Sequence, residues 1–113
     1  MAMDISIGRT LLEAMLEFAI EQHPREIVLL LRGRAEKRAI QIDDFLVPPL
    51  AVAGESFTEF PLYRLPIDFS IVGTAHSHPS GVLAPSVGDL NNFYGRVMVI
   101  FASPYRTSRV AAF

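Results

Sequence analysis

Residues 73–90 read GTAHSHPSGVLAPSVGDL, and how this stretch divides into elements decides the fold. Asp68-Phe-Ser-Ile-Val-Gly-Thr-Ala75 is a largely apolar run that predicts a core strand leading directly into His76. Residues 79–85 carry Pro79, Gly81 and Pro85 and predict a loop. A short helix then begins near Ser86 and is expected to bury Leu90 and Phe93. On a strand, the i, i+2 spacing of His76 and His78 points both imidazoles to one side. Asp89 lies eleven residues beyond His78, in the first turn of the helix, and the loop is long enough to fold it back onto the strand end.

Two histidines and a carboxylate supply nitrogen and oxygen donors of the kind zinc takes, and a third protein ligand leaves a fourth position for water, as in hydrolytic sites. Each part also has an ordinary explanation. A His-x-His pair can be a solvated strand end with one ring bonded to backbone. Ser86-x-x-Asp89 is what many helix N-termini look like. The ordered combination on a strand, loop and helix is what metal coordination explains economically.

Outward from this stretch, the remaining elements follow from periodicity. Leu11, Leu12, Met15, Ala19 and Ile20 recur at helical spacing and predict a helix over residues 7–22. Thr10-Leu-Leu-Glu13 reads as a capping box, with Ser6 as a competing N-cap. His23-Pro24 ends the helix, because the residue before proline avoids helical geometry. His23 is not a ligand candidate there and is expected to serve the helix C-terminus. Glu26-Ile-Val-Leu-Leu-Leu31 predicts a buried strand, and the alternating Ala39-Ile-Gln-Ile-Asp43 a neighbouring one, with Arg32–Arg38 and its Gly33 as the hairpin turn. Asp43-Asp44 reads as an acidic strand end facing water rather than a second metal site. Prolines 48, 49, 61 and 66 confine residues 47–66 to loops and edge strands. Arg96–Ala102 is the most strand-like run, and Arg109–Phe113 a final edge strand. The pattern predicts an α+β fold on a mixed or antiparallel sheet.

The 113 residues fit one domain, 1–113, and with half of them hydrophobic and 19% charged they favour a packed globule. A net charge of −2 without like-charge blocks gives no footprint for nucleic acid. No apolar run approaches the ~18 residues of a membrane span. The N-terminal MAMDISIGR is not built as a signal peptide, so a cytoplasmic location is expected. The absence of cysteine removes disulfides, thiolate catalysis and cysteine-ligated zinc, leaving histidine and carboxylate for any metal.

His76-Ser-His78-Pro79, the seven residues 79–85, and then Ser86-Val-Gly-Asp89 together resemble the H-x-H-P, seven-residue, S-x-x-D motif of the JAMM (MPN+) metalloprotease family. Pro24-Arg-Glu26-Ile-Val-Leu-Leu-Leu-Arg-Gly33 is similar to the family's proline–acid–aliphatic–glycine strand, and Glu26 falls at the acid. The likeness runs from the first helix to the final strand, and the short chain is most similar to compact stand-alone archaeal or bacterial members. It implies an MPN/cytidine-deaminase-like mixed β-sheet, flanked by a long N-terminal helix and a short helix after the HxH strand.

By that resemblance, His76, His78 and Asp89 hold one Zn2+ per chain, Glu26 is the general base, and Ser86 hydrogen-bonds the oxyanion. The implied substrate is the C-terminal Gly-Gly tail of a ubiquitin-like modifier or a sulfur-carrier protein, with no nucleic-acid or membrane partner; a homodimer is compatible with the chain. Residues 55–64, with Phe57, Phe60 and Tyr63, offer an edge for such a tail or simply pack the core. Three alternatives stand beside the isopeptidase: a non-catalytic MPN scaffold, a metal-dependent peptidase of short peptides, and a RadC-like protein. The RadC likeness is weaker, since that group's usual His-Asn-His is His-Ser-His here.

Overall fold

The computed structural model describes residues 3–48, 70–91 and 95–113. In chain order the elements are β1 (Asp4–Ile7), α1 (Arg9–Gln22), β2 (Val28–Ala35), β3 (Ala39–Leu46), β4 (Ile71–His78), α2 (Val87–Asn91), β5 (Val97–Ala102), a 3-10 turn (Thr107–Arg109) and β6 (Val110–Ala112). The strands form one sheet in the order β1-β3-β2-β4-β5-β6. β2 runs antiparallel to β3 and β4, and β5 to β6, whereas β1 with β3 and β4 with β5 are parallel. This is the α+β, mixed-sheet arrangement predicted above, with the long helix at the start and the short one after the histidine strand.

β2, β4 and β5 are the centre of the sheet, and their composition shows why. Val28–Leu31 and all six residues Val97–Ala102 are buried. A run without polar alternation belongs to a strand covered on both faces. Met15, Leu16 and Ala19 of α1 join Leu29, Leu31, Ile40, Ile42, Val99 and Phe101 in the core. Burying each such large aliphatic or aromatic side chain contributes about 1.5–3 kcal/mol relative to leaving it in water. The predicted apolar stripe is shifted slightly: Ile20 is 54% exposed, and Leu16 is buried instead.

Four details differ from the sequence expectation. Residues 4–7 form an edge strand, with Ser6 opposite Gln41, so Ser6 is not a helix cap. The α1 N-cap is Gly8, with no side-chain capping bond, and Thr10 already lies inside the helix. The helix does end at His23, whose N–H reaches the Ala19 carbonyl at 2.9 Å. β2 continues through Gly33 to Ala35, leaving residues 36–38 as the turn. The β2–β3 register shifts between Arg32 and Gly33. A Cβ at Gly33 would lie 1.9 Å from the Gln41 carbonyl oxygen, so this glycine serves close strand approach rather than a turn. The fourth difference is in α2, where Leu90 is 58% exposed and Asp89 is the residue turned inward, at 2%. The proposed loop and edge region 49–66, with Phe57, Phe60 and Tyr63, the strand start at Asp68-Phe69, and Phe93 lie outside the described residues.

Gly73 sits where β4 lies close against Val97 of β5. An added Cβ would stand 1.9 Å from the Val97 carbonyl oxygen, and backbone cannot yield as a side-chain tip would. Gly73→Ala is therefore expected to cost about 3 kcal/mol, the upper range for inserting a methyl group into a packed interior. Denaturant unfolding measures it; a loss under about 1 kcal/mol would mean that the two strands separate easily.

Candidate metal centre

The site is assembled at the C-terminal end of β4. His76 pairs with Val28 of β2 on one side and Ile100 of β5 on the other, and His78 lies beside Ala102. Both histidines are buried, as the central position of the strand requires. The loop that follows is tied back to the strand end, since Gly81 and Ser103 both donate their N–H to the His78 carbonyl, at 3.0 and 3.1 Å. Arg109 adds a guanidinium bond to the Gly81 carbonyl. Gly81 itself has φ +84°, a conformation that glycine adopts without steric cost.

Ser86 and Asp89 form a reciprocal cap that starts α2. The Asp89 N–H donates to Ser86 Oγ at 3.0 Å, and the Ser86 N–H donates to Asp89 Oδ2 at 2.9 Å. The S-x-x-D spacing thus does the ordinary work of a capping box. It also aims the carboxylate at the histidines. Asp89 Oδ2 is 2.9 Å from His78 Nε2, and Oδ1 is 3.4 Å from His76 Nδ1. Burial would raise the Asp89 carboxyl. The Ser86 N–H, the His76 ring, the Ser86 hydroxyl and the His78 ring outweigh burial and hold it below the usual carboxylate range. Burial, reinforced by His78 and opposed by Asp89, lowers His76, so that imidazole stays neutral at neutral pH.

The donor chemistry fits a divalent cation. Both ring nitrogens of His78 face acceptors, Nδ1 lying 2.9 Å from the Val82 carbonyl and Nε2 2.9 Å from the Asp89 carboxylate. A neutral imidazole has a single N–H. Once that hydrogen goes to Val82, a nitrogen lone pair points at a carboxylate oxygen, and such a pair needs a proton or a metal ion between its members. His76 Nδ1 is buried with no hydrogen-bond partner among the described residues, and it faces the other oxygen of the same carboxylate. An orphaned buried nitrogen is costly, and a metal would satisfy it. The groups touch one another directly, so a cation would enter by replacing these contacts, with release of any proton held there.

Glu26 comes from the turn before β2, exposed, yet it shares a cavity of about 260 Å³ with His78, Ser80, Val82, Ala84, Pro85 and Ser86. Ser77, between the two histidines, fixes that approach: its N–H donates to the Ile27 carbonyl at 3.0 Å, and its Oγ accepts the Ile27 N–H at 2.8 Å. The peptide following Glu26 is thereby held on the histidine strand. The structure thus brings His76, His78, Ser86 and Asp89 into one contact cluster and puts Glu26 on the same cavity as His78 and Ser86. Sequence reasoning passed over Ser77, Thr74 and the Val82 carbonyl. Thr74 had a usable signal, a hydroxyl two residues before His76 within an otherwise apolar strand.

His23 does not turn to the helix carbonyls with its side chain, as expected above; its Nδ1 lies 2.7 Å from the Tyr105 hydroxyl. Burial, and then the nearby Glu26 carboxylate, push that phenol above its ordinary range. Asp43 makes an exposed ion pair with Arg34 at 3.7 Å, and Asp44 accepts the Phe45 N–H at 2.8 Å, in keeping with a water-facing acidic strand end.

This fold and site define a JAB/MPN-type domain. Residues 8–112 match the family described as prokaryotic homologs of the JAB domain, and the chain belongs to that family. A Haloferax volcanii protein named "Probable metalloprotease" is 39% identical over 109 residues, covering 89% of this chain and 67% of the relative. Among solved structures, a JAB1/MPN domain protein from Archaeoglobus fulgidus superposes with a TM-score of 0.67 at 26% identity, over 96% of this chain and 87% of that one. A structure described as a JAMM metalloprotease-like zinc site in the proteasome and signalosome gives a TM-score of 0.66 at 28% identity, over all of this chain and 87% of the other. No helix among the described residues is long and apolar enough to cross a membrane.

Proposed function

We propose that residues 1–113 form one domain that is a zinc-dependent isopeptidase or peptidase, acting at the C-terminal Gly-Gly tail of a ubiquitin-like modifier or sulfur-carrier protein. The observation that carries the reading is one buried carboxylate faced by two imidazole nitrogens, with His76 Nδ1 otherwise unpartnered. His76, His78 and Asp89 would hold the ion. Bound there, zinc would supply Lewis acidity, lowering the pKa of water toward neutrality and polarising the scissile carbonyl.

The chain's own residues do the rest. Glu26, on the same cavity as His78, takes the proton of the attacking water and passes it to the leaving amine. Ser86 accepts the Asp89 N–H at Oγ, and its hydroxyl hydrogen, which serves the Asp89 carboxylate in the resting site, turns to donate to the developing oxyanion. Hydrolysis then needs no covalent acyl-enzyme. The cavity is smaller than the roughly 300–1,000 Å³ of ordinary ligand pockets, and Val82, Ala84 and Pro85 on its wall suit a narrow chain of glycines with no side chain to obstruct backbone approach. A cytoplasmic location agrees with such substrates.

The test combines metal analysis with cleavage. Purified protein is expected to carry one zinc per chain and to release a lysine peptide from a ubiquitin-like protein joined through its Gly-Gly tail, with a chelator abolishing turnover. Protein that holds no stoichiometric metal and cleaves nothing would be a scaffold instead. Equal hydrolysis of short peptides lacking any modifier would leave the zinc site standing and remove the modifier from the proposal.

A further inference from the structure

Resting on the zinc reading above, we propose that Thr74 is a positioning residue that selects which nitrogen of His76 faces the metal. Thr74 is fully buried on β4, in a stretch whose other members are Val72, Gly73 and Ala75. A buried hydroxyl is unfavourable unless it is hydrogen-bonded, and valine would fill the same volume without that cost. Thr74 Oγ1 lies 3.2 Å from His76 Nε2. The two residues are i and i+2 on a strand, so the hydroxyl and the imidazole share a side. With the Nε2 hydrogen donated to Thr74, the lone pair of the ring is at Nδ1, the buried and unpartnered nitrogen 3.4 Å from Asp89 Oδ1.

His78 is held the other way round. Its Nδ1 faces the Val82 carbonyl, and Nε2 is the atom toward Asp89. The two histidines therefore present opposite nitrogens to the same carboxylate, although two residues at i and i+2 on a straight strand would by themselves present their rings alike. Their different outer partners account for the asymmetry: a side-chain hydroxyl within β4 for His76, and a loop carbonyl for His78. Outer partners of this kind fix the tautomer and the ring orientation of metal-binding histidines.

Thr74→Val and Thr74→Ser separate the hydroxyl from the methyl group. In zinc titrations against a competing chromophoric chelator, Thr74→Val is expected to bind about 10–100-fold more weakly than wild type, and Thr74→Ser within about 3-fold of it. The metal-free Thr74→Val protein should unfold somewhat more easily than wild type, since valine keeps the volume but leaves the buried His76 Nε2 hydrogen without its acceptor. Nitrogen-15 NMR of the zinc-loaded wild type should show zinc on His76 Nδ1 and a proton on Nε2, a readout that needs no variant to fold. Zinc on Nε2 of His76, or a Thr74→Val affinity within about twofold of wild type, overturns the proposal and leaves the metal site intact. A wild-type protein that binds no zinc overturns the metal reading itself and this proposal with it.

Discussion

Glu26→Gln is expected to leave zinc stoichiometry and affinity unchanged while lowering turnover of a Gly-Gly-linked substrate by roughly 10²–10⁴-fold, the usual contribution of a positioned general base. Glutamine keeps the length and planarity of glutamate but cannot take a proton from water. Glu26 lines the cavity and lies outside the His76–His78–Asp89 cluster, so the donors should be undisturbed. The peptide after it stays clamped by Ser77, through bonds that involve Ile27 backbone and not the Glu26 side chain. The loss should fall on kcat with KM nearly constant, because in the proposed mechanism the group would act on the reacting water and not on the bound tail. Steady-state kinetics beside metal analysis separates the cases. Retained turnover would remove Glu26 from the mechanism, and lost zinc would make it part of the metal site.

Asp89→Ala should abolish zinc binding, with affinity falling by more than the roughly 100-fold that loss of an outer partner costs. Its carboxylate is the point on which both imidazoles converge, and it is ionised at neutral pH because its hydrogen bonds and neighbours outweigh its burial. Removing it also leaves the Ser86 N–H without its acceptor and breaks the reciprocal cap of α2, a loss of about 0.5–2 kcal/mol. Asp89→Asn is the control for that damage, since the amide oxygen can still accept the Ser86 N–H while being a neutral, weaker donor to a cation. The measurement is the shift of the unfolding midpoint on adding zinc. Ligand at 1,000 times its Kd stabilises the native state by about 4 kcal/mol, so a wild-type shift of that order should vanish in both variants. Zinc stabilisation retained in Asp89→Ala would remove the central ligand from the scheme.

The donor set was legible because it is coded locally. Strand spacing aligns His76 with His78, Pro79 and Pro85 bound the loop, and Ser86-x-x-Asp89 is a helix start whatever else it does. Five residues could thus be singled out from spacing and resemblance. The long apolar runs of β2, β4 and β5 were equally plain, because burial on both faces removes polar alternation. Less was legible at the ends of elements. The strand Asp4–Ile7 gave too short a pattern to distinguish from a helix entry, and it exists by parallel pairing with β3, thirty-five residues away at Asp4 and Ala39. Leu90 looked like a core residue of a short helix, yet a five-residue helix offers little inward surface, and Asp89 occupies it.

By itself, then, the sequence determined which donor types are present, their order along the chain, and the α+β frame that carries them. Tertiary structure decided what faces what. Only the β2–β4 register, with Val28 opposite His76, brings the Glu26 turn to the cavity beside His78, and a slip of one residue would turn every side chain on β2 to the other face. Only packing buried Thr74 against His76 and set the Val82 carbonyl against His78, giving each ring its own orientation. Spacing along a chain specifies local geometry, whereas the direction of a lone pair depends on hydrogen-bond partners that strand pairing and loop return bring within about 3 Å.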